Sequence, residues 1–281
     1  MERQRALELL RQETRHLLDL ATPDALKSPV PSCVGWDLEE VVVHLGNVYN
    51  WIGTIVDLRL SGPPGTEQLT WRAEQMSAQE WMNDRAERVI AVLAAVPDDV
   101  PIWNFGPGAQ TAAFWWRRVV HETLIHRVDI ELARPSAIAP VEAAVASDTL
   151  SEFLYITRFT DVTGEIAEPA AATPTALTIH LHATDVDGTA TPAGTPNAAW
   201  SEWTIDSGAR TVSNTHSKAG AALRGPAWAL ARWIWGRLDL ESNRTPGAGA
   251  SAGSAQDSTL DGIESFGDVT ALQAWRQTVI L

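Results

Sequence analysis

Apolar residues recur at three- and four-residue intervals over 1–160 of the chain and at alternate positions in several short runs beyond it, a change from helical to strand period. Leu7, Leu10, Leu17 and Leu18, set between charges, predict an amphipathic helix ending near Leu20, after which Pro23, Pro29 and Pro31 impose an extended connection. A second helix opens at Asp37, which can cap it while Glu40 reaches back in a capping-box arrangement, and it runs to about Leu60. Leu38, Val41, Leu45, Val48, Ile52 and Ile55 form its apolar stripe, and His44 lies between Val41 and Val48, so the imidazole is expected to point inward. The 61–65 loop, with two prolines and two glycines, leads toward a third helix, capped by Ser77 with Glu80 and extending to about Val96, where Pro97 and Pro101 end it. A long helix over 111–133 carries the run WWRRVVHETLIHR and closes at Pro135, and Pro140 opens a fifth helix that reaches about Phe159. Four or five antiparallel helices joined in this way predict a bundle over 1–160.

The stretch 161–175 is rich in Pro, Ala and Thr and follows neither period, as a linker would. Beyond it Leu177, Ile179 and Leu181 alternate with Thr178, His180 and His182, which predicts a strand with one apolar and one polar face. Two further short strands, over 200–205 and 209–215, meet through Asp206, Ser207 and Gly208 as a hairpin. A helix over 225–238 bearing Trp228, Trp233 and Trp235 follows, then a Gly, Ala and Ser tract over 245–258 expected to be disordered, and a last helix over 268–279. The fold expected is therefore a two-domain α+β chain: a helical bundle (1–160), a linker (161–175) and a small α+β domain (176–281).

The 281-residue length allows two such domains, and the charge narrows their partners. With 21 basic and 35 acidic residues the net charge is −14, which repels nucleic-acid phosphates and anionic membranes in the absence of a basic patch. The single cysteine, Cys33, excludes an internal disulfide, a CxxC redox pair and a thiol-dense metal site. The charged, helical N-terminal stretch has no signal-peptide pattern and no long apolar run occurs, so a cytoplasmic protein is expected. Neither a phosphate-binding lysine loop nor a GxSxG elbow is present, and the glycines at 247, 249 and 253 lack the preceding strand of a dinucleotide fingerprint. The 13 tryptophans read as core and cleft walls.

Candidate chemistry concentrates in His121-Glu122-Thr123-Leu124-Ile125-His126. The segment differs from HExxH by one extra residue, which sets the two histidines about 140° apart around a helix and prevents them from sharing a metal. Glu122 and His126 are four apart, about 40° around the axis, and can chelate a divalent cation together. His44, on an apolar helical face, is the best-placed third ligand; two histidines and one carboxylate leave a coordination position open, as in catalytic rather than structural zinc sites. A lone Glu and His at this spacing are more often a satisfied structural pair, and the same holds for a lone core histidine. His16 reads as structural, His180 and His182 as a solvated or interdomain polar face, and Cys33 as packing rather than a nucleophile.

Two stretches carry a family resemblance: 30–51, VPSCVGWDLEEVVVHLGNVYNW, and 103–131, WNFGPGAQTAAFWWRRVVHETLIHRVDIE. Together they resemble the N-terminal domain of the mycothiol-dependent maleylpyruvate isomerase family, a group of DinB-like four-helix bundles. The resemblance implies a divalent metal, with zinc the expected ion, held by the histidine of the HLG segment and the Glu and His of HExxxHR, here His44, Glu122 and His126. It also implies a sterol-carrier-like α+β second domain, matched by ALTIHLHATD and LRGPAWALARWIWGRLDLE, and an actinobacterial source. Arginines from both domains would hold an anionic substrate and the thiol. Arg237, in a WGR segment, is the better match for one of them, and Arg72 competes with Arg85 for the other; an ordinary surface or interdomain salt bridge is the alternative for each.

On this reading mycothiol serves as thiol cosubstrate. A metal that keeps a net positive charge after ligation favours its thiolate, which attacks a small electrophile, anionic in the family case, in a thiol S-transferase or thiol-dependent isomerase reaction. Maleylpyruvate cis-trans isomerisation proper, a metal-hydroxide hydrolase with His121 or Asp129 as distant candidates for its base, and a non-catalytic small-molecule-binding protein remain the alternatives. The partners expected are the small-molecule electrophile and mycothiol, with neither nucleic acid nor membrane, in a monomer or homodimer.

Overall fold

The computed structural model describes residues 1–134, 136–157, 177–187, 200–240 and 262–279. It divides into two compact units, Met1–Ala139 and Pro140–Leu281. The first contains α1 (Arg3–Leu20), α2 (Leu38–Asp57), α3 (Ala78–Ala95) and α4 (Ala113–Leu132). Helices α1 and α2 each pack against both α3 and α4, which makes a four-helix bundle.

Both capping boxes form. The Glu40 amide donates to Asp37 Oδ1 at 3.0 Å while the Asp37 amide donates to Glu40 Oε2 at 2.7 Å. Ser77 and Glu80 exchange the equivalent pair at 3.2 and 2.8 Å. Each N-cap contributes about 1 kcal/mol and fixes the residue at which its helix begins. The register of α2 places Leu38, Val41, Leu45, Tyr49, Ile52 and Ile55 in the core. At Gly46 the Trp81 indole of α3 lies so close that a β-carbon would overlap its Cδ1 and Nε1, and that indole donates to Asn47 Oδ1 at 3.1 Å. Trp51, Trp103 and the buried Trp115 pack against one another, Trp51 meeting both other rings edge-on.

Helix α4 lacks a clean apolar stripe because it is buried on nearly every side. Several of its polar side chains are matched by groups on neighbouring elements. Arg127 donates to Glu13 Oε2 of α1 at 2.7 Å and to the Ala139 carbonyl at 2.8 Å. His16 of α1 sits 3.1 Å from Glu131 Oε1, in keeping with the structural role expected of it. Tyr49 of α2 hydrogen-bonds Thr123 at 2.7 Å, and Thr123 in turn donates to the Val119 carbonyl at 2.7 Å.

The second unit holds α5 (Ala143–Thr157), β1 (Thr178–Ala183), β2 (Glu202–Asp206), β3 (Thr211–Ser213), β4 (Ala221–Gly225), α6 (Ala227–Ile234), β5 (Glu264–Gly267) and α7 (Val269–Val279). The strand order is β3-β2-β1-β4-β5, parallel between β1 and β4 and antiparallel elsewhere. Sequence periodicity assigns α5 to the bundle, yet it packs on α6. Trp203 Nε1 donates to Ser151 Oγ at 3.0 Å, Ser147 Oγ donates to the Trp200 carbonyl at 2.7 Å, and Phe153 meets Trp235 edge-on. The division between units accordingly falls between Ala139 and Pro140 rather than at 161, and the expected linker 161–175 and disordered tract 245–258 lie outside the described residues.

Two strands had no sequence signal: β4, whose AALRG offers one large apolar residue, and β5, an exposed edge strand. The expected two-faced β1 also needs correction, because His180 is buried together with Ile179 and Leu181 while His182 is half-buried. Among the described residues no helix is long and apolar enough to cross a membrane.

Candidate metal centre

Helix phase brings His44 of α2 to the same point as Glu122 and His126 of α4. Both imidazole Nε2 atoms approach a single carboxylate oxygen, Glu122 Oε1, at 3.3 Å from His44 and 3.2 Å from His126. The two rings are 4.8 Å apart and nearly perpendicular. All three donor atoms lie within 4.8 Å of one another, close enough to share one cation. His121, five residues before His126, is fully buried elsewhere on α4 and is not part of the cluster.

A set of contacts around the cluster orients each donor. Glu122 Oε2 accepts from the buried Arg118 guanidinium one turn earlier, which leaves Oε1 for the imidazoles. Asp129, fully buried, accepts from His126 Nδ1 at 2.8 Å. In the tautomer whose Nδ1 proton is engaged there, the His126 ring turns a bare Nε2 lone pair toward Glu122 Oε1. Two acceptors then face each other, an arrangement resolved by a second ring proton or by a cation between them. Burial first, then the neighbouring His126 and Arg118, pushes the His44 pKa down to about 4 against the opposing pull of Asp129, so this ring is neutral and ligand-competent at pH 7. The donor set thus fits a divalent cation, with a carboxylate behind one imidazole as in carboxylate–histidine–metal sites.

The sequence offers Asp129 only as a remote base, and the structure instead seats it behind His126. Its other contacts come from the α1–α2 loop: Ser32 Oγ donates to Oδ1 at 2.5 Å and Cys33 Sγ to Oδ2 at 3.4 Å. Cys33 is therefore more than packing. A carboxylate three residues after a candidate ligand lies about 60° away on the same helix, and that spacing was the available signal.

His44 is the most exposed of the three donors, its side chain 35% accessible against 15% for Glu122 and 11% for His126. It opens onto a cleft of about 450 Å³ lined also by Trp36, Glu40, Asn47 and Arg72. The Trp36 ring lies 5.2 Å from the His44 ring. Arg72 donates to the Met76 carbonyl at 3.2 Å and stands 3.9 Å from Glu39. Arg85 does not line this cleft; it bonds Asp84 and Asn50 and stacks on Trp81. Arg237 belongs to the second unit, where it donates to the Trp235 carbonyl at 2.6 Å.

Residues 7–131 match the family described as mycothiol maleylpyruvate isomerase N-terminal domain. Two solved structures share the fold: a mycothiol-dependent maleylpyruvate isomerase, with a TM-score of 0.50 at 13% identity, and a histidine-to-alanine mutant form of such an enzyme, with 0.51 at 11%. Each comparison covers 85% of this chain and 90% of the other. No curated protein matches the chain significantly in sequence. The matched stretch takes in nearly all of α1 to α4 and with them all three clustered donors, so the likeness to the mycothiol maleylpyruvate isomerase N-terminal domain falls on the part of the chain that builds the site.

Proposed function

We propose that the protein is a metal-dependent enzyme that uses a low-molecular-weight thiol, mycothiol, against a small electrophile, as a thiol S-transferase or thiol-dependent isomerase. The observation that carries this reading is the convergence of His44, Glu122 and His126, with His44 lining a cleft that also presents an arginine. The family that residues 7–131 match, and the mycothiol-dependent isomerases whose fold the chain shares, support the choice of thiol.

His44, Glu122 and His126 would hold the divalent metal, zinc being the ion best suited to two imidazoles and a carboxylate, and the bound ion would supply a Lewis acid that favours the thiolate form of an incoming thiol. Asp129 keeps His126 in the tautomer that directs Nε2 into the site, and Arg118 holds Glu122 in place. Trp36 stands beside His44 in the cleft lining, its ring tilted 60° to the imidazole. Arg72 is the cationic group of the cleft, and a substrate carboxylate would take over the position now nearest Glu39. Cys33 directs its thiol proton to Asp129, and the nucleophile in this reading is the external thiol. Arg237 would serve as the second unit's contact with the anionic substrate or thiol.

Titration of the zinc-loaded protein with mycothiol tests the reading. Saturable binding accompanied by proton release is expected, and the His44→Ala protein should lose both. A metal-hydroxide hydrolase or a simple binding protein predicts no such binding. Undiminished mycothiol binding by the His44→Ala protein would overturn the proposal.

A further inference from the structure

The sheet of the second unit carries a second group of metal donors. We propose that His180, Glu202 and His216 bind a divalent transition-metal ion of the imidazole-preferring class, with His182 in reach as a fourth donor.

Strand alternation puts His180 and His182 on the same face of β1, and the register pairs His182 with Glu202 and His180 with Thr204 on β2. Thr204 also ties down the segment that follows β3: its hydroxyl donates to the Thr215 carbonyl at 2.7 Å and lies 2.9 Å from Ser217 Oγ. Asn214 Nδ2 donates to the Glu202 carbonyl at 3.3 Å. These bonds hold His216 above the strand pair, its ring 4.8 Å from that of His180 and perpendicular to it.

The donor atoms of His180, Glu202 and His216 lie within 4.8 Å of one another. His216 Nδ1 is 3.2 Å from Glu202 Oε1, and His182 Nε2 is 4.0 Å from the same oxygen. His180 supplies the independent observation. Its side chain is 9% exposed, and its Nε2 is buried without a hydrogen-bond partner, 3.7 Å from Glu202 Oε2. A ring nitrogen withdrawn from water and aimed into a cluster of donors lacks only a cation to satisfy it. Imidazoles with one carboxylate suit Zn²⁺, Cu²⁺ or Ni²⁺, whereas Mg²⁺ and Ca²⁺ prefer all-oxygen sets.

The test uses the full-length chain, stripped with a chelator and equilibrated with Zn²⁺, with metal read by elemental analysis after dialysis. The His44→Ala protein, which lacks a donor of the bundle centre, should still take up about one equivalent. Adding His216→Asn, at a side chain 75% exposed and so removable without disturbing the fold, should weaken that uptake more than about tenfold. His180→Gln should act in the same way, and Mg²⁺ should not compete. Equal uptake with and without His216→Asn, or no uptake by the His44→Ala protein, overturns the proposal. If His44→Ala itself perturbs folding, the unmutated chain and its His216→Asn variant give the same comparison: one equivalent apart if the site exists, equal if it does not.

Discussion

Replacing Asp129 by Asn separates the electrostatic role of that carboxylate from its structural one. Asp129 Oδ2 faces His126 and Cys33, and Oδ1 faces Ser32. An asparagine of the same size can keep its oxygen toward His126 and turn its amide toward Ser32, whose hydroxyl reverses from donor to acceptor. All the hydrogen bonds then survive, and what disappears is the negative charge that makes the His126 ring a stronger ligand. Loss of such an outer contact weakens metal binding about 10- to 100-fold, or roughly 1.4 to 2.7 kcal/mol. The metal-free fold should not weaken in parallel, because a buried charge has been removed together with its desolvation cost. Asp129→Ala, in contrast, leaves Ser32, Cys33 and His126 without their acceptor and should destabilise even the metal-free protein, by about 1–3 kcal/mol for each buried group left unsatisfied. The assay is Zn²⁺ competition against a chromophoric chelator in the His216→Asn background, beside urea unfolding of the stripped proteins. Affinity of the Asn variant within about twofold of the parent, or a stability loss equal to that of Ala, would refute the assignment of Asp129 as the positioning group behind His126.

Four further outcomes are expected. Gly46→Ala drives a methyl into the Trp81 indole and should cost about 1–3 kcal/mol, seen as a lower urea midpoint at unchanged m-value. Arg127→Met strands the Glu13 carboxylate in the α1–α4 interface, where the two side chains are only 2% and 7% exposed, and should cost about 3–5 kcal/mol by the same measurement. The metal-free protein should lose thermal stability as pH falls from 6.5 toward 4: the unfolded His44 ring takes up its proton near 6.5, the folded one only near 4, so unfolding binds a proton in that interval, and His44→Gln should flatten this part of the profile. Arg72→Ala should raise the KM for an anionic electrophile while leaving the metal content of the bundle unchanged, as elemental analysis would show.

What could be read from the sequence was what is decided within one or two helical turns. Asp37 with Glu40, and Ser77 with Glu80, announce helix starts because each box closes over four residues, and both form as expected. The phase argument that rejected His121 and paired Glu122 with His126 needs only the helix repeat, and His44 followed from its place on the α2 stripe. Features set by distant chain were not legible. Nothing in 143–157 distinguishes a fifth bundle helix from one that packs on a sheet, since the apolar face is the same and only its partner, α6, differs. β4 is a strand because β1 and β5 flank it, not because AALRG has a period. His180 read as polar-face because it alternates with leucine and isoleucine, but the His216 segment, tied down by Thr204, lies over that face and buries it. Likewise Ser32 and Cys33 reach Asp129 only because the proline-rich turn folds back on α4.

The lack of an apolar stripe on α4 and the placement of the metal donors have a common cause. A helix flanked by both α1 and α2 has no solvent face to which its polar residues can be sent, so each must be matched from a particular direction: Arg127 from α1, Thr123 from α2, Asp129 from the α1–α2 loop. Slipping the sequence of α4 by one residue would rotate every side chain by about 100° and break these matches together, whereas a purely apolar helix could slip at little cost. The rotational setting of α4 is therefore fixed by contacts that do not touch the cleft, and Glu122 and His126 inherit it. His44 gains the same precision from α2, whose position is set independently by the capping box at its start and by the Gly46 contact with Trp81 half a turn beyond the ligand. Three donors held from two helices in this way meet without any of them having to supply the energy of convergence, which is the condition under which binding energy at the site remains available for the choice of cation and of incoming ligand.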